Sequence, residues 1–174
     1  MHLARTVKAL AVSAALSLSA LAVPTMAASA AHADDCSYYT ITTSDVDLYG
    51  YVGYVELQYS SGCHTTRSHF HVDSSFRASH SGWNVTLWVD NGRNSDSTAQ
   101  KVLVTTPYPN NTSYSDYWSG STSIYGQPTE QFLAGVTWTY NTCRGDWGSG
   151  WHDYTNGYNY NDGGAFAFSQ GCHG

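Results

Sequence analysis

From Trp83 to Val89 the chain reads Trp-Asn-Val-Thr-Leu-Trp-Val. Trp83, Val85, Leu87 and Val89 fall on one side of a two-residue period, and Asn84, Thr86 and Trp88 on the other. That alternation fits a strand with one buried face, because successive strand side chains point to opposite faces. Asp90-Asn91-Gly92 then supplies a turn. The same period recurs along the chain. It places Val55, Leu57 and Tyr59 together in Tyr54–Tyr59, and Phe70 and Val72 together in 63–72. It also groups Phe132, Ala134, Val136, Trp138 and Tyr140, and pairs Phe166 with Phe168. Lys101 to Thr106 is a β-branched run that is expected to stop at Pro107. No stretch beyond residue 33 combines helical periodicity, caps and the length of a long helix. Seven or so short strands with turns between them predict an all-β fold, a small antiparallel β-sandwich or barrel. Two long polar and aromatic loops are expected between the strands, over 108–126 and 144–164.

The first 33 residues differ from the rest. Arg5 and Lys8 precede an apolar stretch from Ala9 to Val23, and Ala31-His32-Ala33 is a small-x-small cleavage site. These are the three parts of a secretory signal peptide. The apolar stretch is shorter than the roughly 20 residues that a membrane-spanning helix needs. The expected mature chain is therefore residues 34–174, one secreted β domain, extracellular and without a membrane span.

Export has chemical consequences. Cys36, Cys63, Cys143 and Cys172 all lie in the mature part, and in an oxidising compartment an even count implies disulfides. Four cysteines allow three pairings. Cys36–Cys63 and Cys143–Cys172 are favoured, each closing a loop of about 27–29 residues and contributing about 3 kcal/mol in the chain-entropy view. The absence of any CxxC spacing argues against a structural zinc site. Once Arg5 and Lys8 are removed, five basic residues face thirteen acidic ones, a net charge of −8. Phosphate contacts need clustered Lys and Arg, so no nucleic-acid partner is expected.

The segment Gly53-Tyr54-Val55-Glu56-Leu57-Gln58-Tyr59-Ser60-Ser61-Gly62-Cys63, with Cys36 upstream, resembles a family of small secreted proteins from actinobacteria and some bacilli. That family's motif is Val-Glu-Leu-Arg-Tyr-Ser, a short gap, then Cys, and its domain has no assigned function. Here Gln58 stands where the motif has Arg, and the similarity is confined to about residues 36–72. The resemblance implies a bacterial source, secretion, a compact β-fold and the Cys36–Cys63 pairing, but no activity.

Two groups of residues carry chemistry. Trp147, Trp151, Tyr154 and Tyr158 lie close together among Gly, Asn and Asp, and Trp88 and Trp118 would extend the set. Flat rings stack on sugar C–H faces while amides and carboxylates bond hydroxyls, so this reads as a glycan platform. The bland alternative is that the rings pack down over the end of the sandwich. His69 and His71, two residues apart on a strand, share a face with Arg67 and suit one zinc or copper ion. Their alternative is a polar strand face, which Arg67 favours. Catalytic motifs are missing: there is no Gly-x-Ser-x-Gly and no His-Glu-x-x-His, and the two glutamates, Glu56 and Glu130, mark no acid/base pair. No cofactor is implied. The expected function is a non-enzymatic binding or cell-surface module for a polysaccharide or cell-envelope glycan. The alternatives are a secreted inhibitor and a histidine-based metal binder.

Overall fold

The computed structural model describes residues 36–47, 50–93, 101–110 and 112–168. The expected leader and Cys172 lie outside the described residues. The strands form two antiparallel sheets. In the first, β1 (Tyr39–Asp47), β2 (Tyr51–Ser60), β3 (Thr65–Val72) and β6 (Asp116–Trp118) lie in that order, and β7 (Thr122–Ser123) also pairs with β3. The second sheet is built on β4 (Asn84–Asn91), β5 (Lys101–Tyr108), β8 (Gln131–Tyr140), β9 (Cys143–Asp153) and β10 (Tyr158–Tyr160), in the order β10-β9-β8-β4-β5. There β11 (Gly164–Phe168) also pairs with β9. A single turn and a half of helix, α1 (Ser74–Ser79), links β3 to β4, with the Asp73 carboxylate accepting from the Ser75 and Phe76 amides at its start.

The sheets pack face to face, β1 on β9, β2 on β8 and β9, β3 on β4 and β8. This is the sandwich alternative; the sheets do not close into a barrel. The two-residue period sets which side chains meet between them. Val55 and Leu57 of β2, Phe70 and Val72 of β3, Val85, Leu87 and Val89 of β4, and Phe132, Ala134, Val136 and Trp138 of β8 are all buried. Trp83, Trp138 and Trp147 anchor this layer. Each withdraws on the order of 200 Å² from water, an upper-bound gain of about 5 kcal/mol. The indole N–H groups of Trp83 and Trp138 have no hydrogen-bond partner among the described residues, which takes back about 1–3 kcal/mol each.

Cys36 and Cys63 form a disulfide, Cα–Cα 5.6 Å, that ties the chain ahead of β1 to the β2–β3 turn. Of the two expected disulfides this is the one that the described residues contain. Cys143 is buried in the main core, and its expected partner Cys172 lies outside the described residues.

Two expectations are corrected and one strand carried no expectation. The run from Lys101 does not stop at Pro107; β5 continues to Tyr108, with Pro107 opposite Thr86. It can do so because β5 is the last strand of its sheet, where a missing N–H breaks no ladder. The expected loop over 144–164 is in large part strand, since β9, β10 and the start of β11 fall within it. Finally, β1 has no counterpart in the apolar pattern. It is a Thr- and Asp-rich edge strand with mostly exposed side chains, paired along its length with β2.

Candidate functional site

The second sheet turns its other face outward and forms a groove there. Inward burial of Val85, Leu87 and Val89 obliges Thr86 and Trp88 to face out. Trp88 sits directly opposite Gly135 on β8. A Cβ added at Gly135 would lie 2.1 Å from Cζ2 of Trp88, so the indole lies flat across the bare backbone. Its Nε1 donates to Oγ1 of Thr137 at 3.2 Å, and that hydroxyl donates to Oδ1 of Asp146 at 2.5 Å. The ring orientation is thereby fixed by a chain of bonds ending on a carboxylate.

The far wall depends on a bulge. Trp147 and Trp151 are four residues apart, and a regular strand would place both on one face. Along β8, two steps separate Leu133 from Gly135; along β9, three steps separate their partners Trp151 and Gly148. The extra residue reverses the alternation. Gly150 supports the kink at φ +92°, a backbone region that L side chains rarely adopt. Ser149 turns inward, where its hydroxyl receives Thr42 Oγ1 at 3.0 Å and the Ala134 amide at 3.3 Å. Trp147 therefore enters the core, while Trp151 faces outward beside Leu133.

The resulting groove has a volume of about 430 Å³. Trp88, Trp151, Leu133 and Val102 give it apolar surface; Thr86, Thr105, Thr137, Asp90, Asp146 and Arg144 give it hydrogen-bonding groups. Apolar and aromatic walls with a few convergent polar groups are the general make-up of a small-molecule site.

The residues expected to form one aromatic platform are dispersed. Trp147 is 2% exposed, with its ring folded over Gly145 in the core, so it has no surface to offer a ligand and the expectation is corrected there. Trp151 lines the groove with the small part of its surface, 6%, that is exposed. Tyr154 packs between the sheets, its ring 4.8 Å from that of Tyr59 and its hydroxyl donating to Thr66 Oγ1 at 3.3 Å; burial pushes its phenol well above the ordinary range. Tyr158 is 59% exposed on β10, edge-on to Tyr160. Trp118 is 41% exposed on the opposite sheet. Of the added pair, Trp88 joins Trp151. Asp90, Asp146, Arg144 and Thr137 carried no motif. The outward positions of facing strands were the only signal for them.

His69 and His71 share the outer face of the first sheet with Arg67, as their spacing predicts. Their nitrogens are engaged with carboxylates. His69 Nδ1 lies 2.7 Å from Glu56 Oε2 and its Nε2 3.0 Å from Asp116 Oδ1; His71 Nδ1 is 2.8 Å from the same Asp116 oxygen. Ser115 Oγ donates to the other Asp116 oxygen at 2.6 Å. Partial burial pushes the Asp116 carboxyl up, but the hydrogen bonds from Ser115, His71 and His69 and the charge of His71 outweigh it and hold it at about 2. Among the described residues no three His, Cys, Asp or Glu side chains are arranged to hold a metal ion. No helix among them is long and apolar enough to cross a membrane. In comparisons with known proteins, no family model, curated protein or solved structure matches the chain.

Proposed function

We propose that this is an exported, non-enzymatic binding domain whose ligand is a glycan, engaged in the outer groove of the second sheet. The observation that carries the reading is the pairing of Trp88 and Trp151 with hydroxyl and carboxylate groups in one groove. A sugar ring presents apolar C–H faces and equatorial hydroxyls; indole surfaces complement the first, and Thr86, Thr105, Thr137, Asp90 and Asp146 the second. Two carboxylates against the single guanidinium of Arg144 suit neutral or amino sugars better than polyanions. Export rests on the N-terminal pattern and agrees with the Cys36–Cys63 disulfide. The resemblance of residues 36–72 to small secreted actinobacterial and bacillus proteins supports a bacterial source. The second disulfide, Cys143–Cys172, belongs to the same reading.

The test is co-sedimentation of the secreted chain with a panel of insoluble polysaccharides and cell-wall preparations. Retention on at least one is expected. Trp88→Ala should weaken it at least tenfold; because the variant also loses the Trp88–Thr137 bond, at a cost of about 0.5–1.5 kcal/mol, retention is compared at a temperature where both proteins are folded. Retention on none, or equal retention of Trp88→Ala, overturns the proposal.

A further inference from the structure

The outer face of the first sheet holds a cation whose environment is otherwise unexplained. Arg67 projects from β3, and its Cζ lies 3.9 Å from the centroid of the Tyr38 ring and 5.7 Å from that of Trp118. Its Nε donates to Gln58 Oε1 at 3.0 Å. Each of these neighbours is itself held. The Tyr38 hydroxyl is 2.8 Å from Thr65 Oγ1, Gln58 donates to Glu56 at 3.0 Å, and the Trp118 ring stacks on His69 at 5.0 Å and 17°. The guanidinium is thus fixed in position and orientation.

What its Nη groups lack is an acceptor. Among the described residues no carboxylate lies within ion-pair distance of Arg67, and neither Nη group has a hydrogen-bond partner. By contrast Arg93, also stacked on a tyrosine, pairs with Asp162 at 2.8 Å. The acidic groups of this face are committed elsewhere: Glu56 to Gln58 and His69, Asp116 to Ser115, His69 and His71. Burial against the two rings lowers the pKa of Arg67, a cost of desolvation that no described anion offsets. With Nε bonded to Gln58, the two Nη groups remain, and a guanidinium's N–H fork matches a carboxylate bidentately.

We propose that Arg67 anchors a second binding site, distinct from the groove, that takes the carboxylate of an acidic sugar residue on its Nη groups while the exposed indole of Trp118 stacks on the sugar ring. One guanidinium matches one carboxylate, and the nearby Glu56 and Asp116 disfavour a dianion such as phosphate. Trp118, 41% exposed, offers flat ring surface suited to a pyranose C–H face.

The experiment is titration of the secreted chain with a uronic-acid trisaccharide, its neutral counterpart and acetate, followed by tryptophan fluorescence and calorimetry. Saturable binding of the acidic trisaccharide is expected, at least tenfold tighter than either control and weakened by salt. Arg67→Lys keeps the charge and the stem but loses the fork; it and Arg67→Gln should each weaken binding at least tenfold. Arg67→Lys carries the test if Arg67→Gln is destabilised. Trp118→Ala should weaken it several-fold. Trp88→Ala should leave it unchanged, which separates this site from the groove: loss of polysaccharide retention in that variant leaves this proposal standing. No saturable binding, acetate binding as tightly as the trisaccharide, or full affinity in Arg67→Lys overturns it.

Discussion

The placement of the Trp88 ring on Gly135 is open to a double-mutant cycle. In Gly135→Ala the new Cβ would lie 2.1, 2.2 and 2.3 Å from Cζ2, Cη2 and Cε2 of Trp88. Carbon atoms rest about 3.5–4.0 Å apart, so the ring must move by about 1.5 Å or leave the surface. Overpacking costs about 1–3 kcal/mol, and loss of the Nε1–Thr137 bond about 0.5–1.5 kcal/mol. Because the ring lies on an outer face it can swing toward water, which keeps the sum near 2–3 kcal/mol. Alanine in place of glycine returns about 0.5–1 kcal/mol in a strand. Gly135→Ala should therefore destabilise by about 1.5–2 kcal/mol, a fall of about 3–8 °C in melting temperature for a domain of this size. In a Trp88→Ala background the overlap vanishes, and the same substitution should be neutral or stabilising by up to about 1 kcal/mol. Urea denaturation of the four proteins, with the disulfide intact, gives the coupling directly. The expected value is about 2 kcal/mol. Equal effects of Gly135→Ala in both backgrounds would show that the ring does not rest on the glycine, and the described floor of the groove would be wrong.

Two further outcomes test the flanking features. Trp147→Ala and Trp151→Ala each remove a buried ring, 2% and 6% exposed, and should each cost about 3–5 kcal/mol; at a temperature where both variants are folded only Trp151→Ala, whose ring lines the groove, should weaken glycan retention, and equal loss of retention in the two would refute the reversed alternation. Asp116 is held at about 2, below its ordinary 3.8, so its ionised form is favoured by folding. That contribution is complete above about pH 4 and is lost as pH falls toward 2. Asp116→Asn should lower stability at pH 6 and flatten the acid limb between pH 4 and 2, and a wild-type slope in that variant would contradict the network.

Much of the sandwich was legible because its inner faces follow a two-residue period. Val85, Leu87 and Val89, and Phe132 through Trp138, fall where alternation puts them, since burying one face of a sheet requires it. Legibility failed where that requirement lapses. Edge strand β1 buries little and so shows no apolar period. At Pro107 the local rule lost to position in the sheet, because an edge strand tolerates a missing donor. In β9, glycine and aromatic content resembled a loop. Glycine there serves the bulge and makes room for the Trp147 ring. The i, i+2 argument placed His69 and His71 on one face, but their partners Glu56 and Asp116 come from two other strands, which sequence spacing does not register.

The two outer faces differ in where their hydrogen-bonding capacity is spent, and this is what separates site from scaffold. On the first sheet the carboxylates of Glu56 and Asp116 receive Gln58, His69, His71 and Ser115, so a closed network joins β2, β3 and the three-residue strand β6. A strand as short as β6 has few ladder bonds of its own, and the grip of Asp116 on two histidines of β3 supplements them. The network therefore reads as structural, and Arg67, joined to it only by Nε through Gln58, is the group with donors to spare. On the second sheet the order is reversed. The Trp88–Thr137–Asp146 chain fixes one ring and occupies one oxygen of Asp146, while Thr86, Thr105 and the Trp88 ring line open volume. A face that has satisfied itself can hold a fold together, whereas a face that keeps fixed groups around open volume is arranged to receive something else.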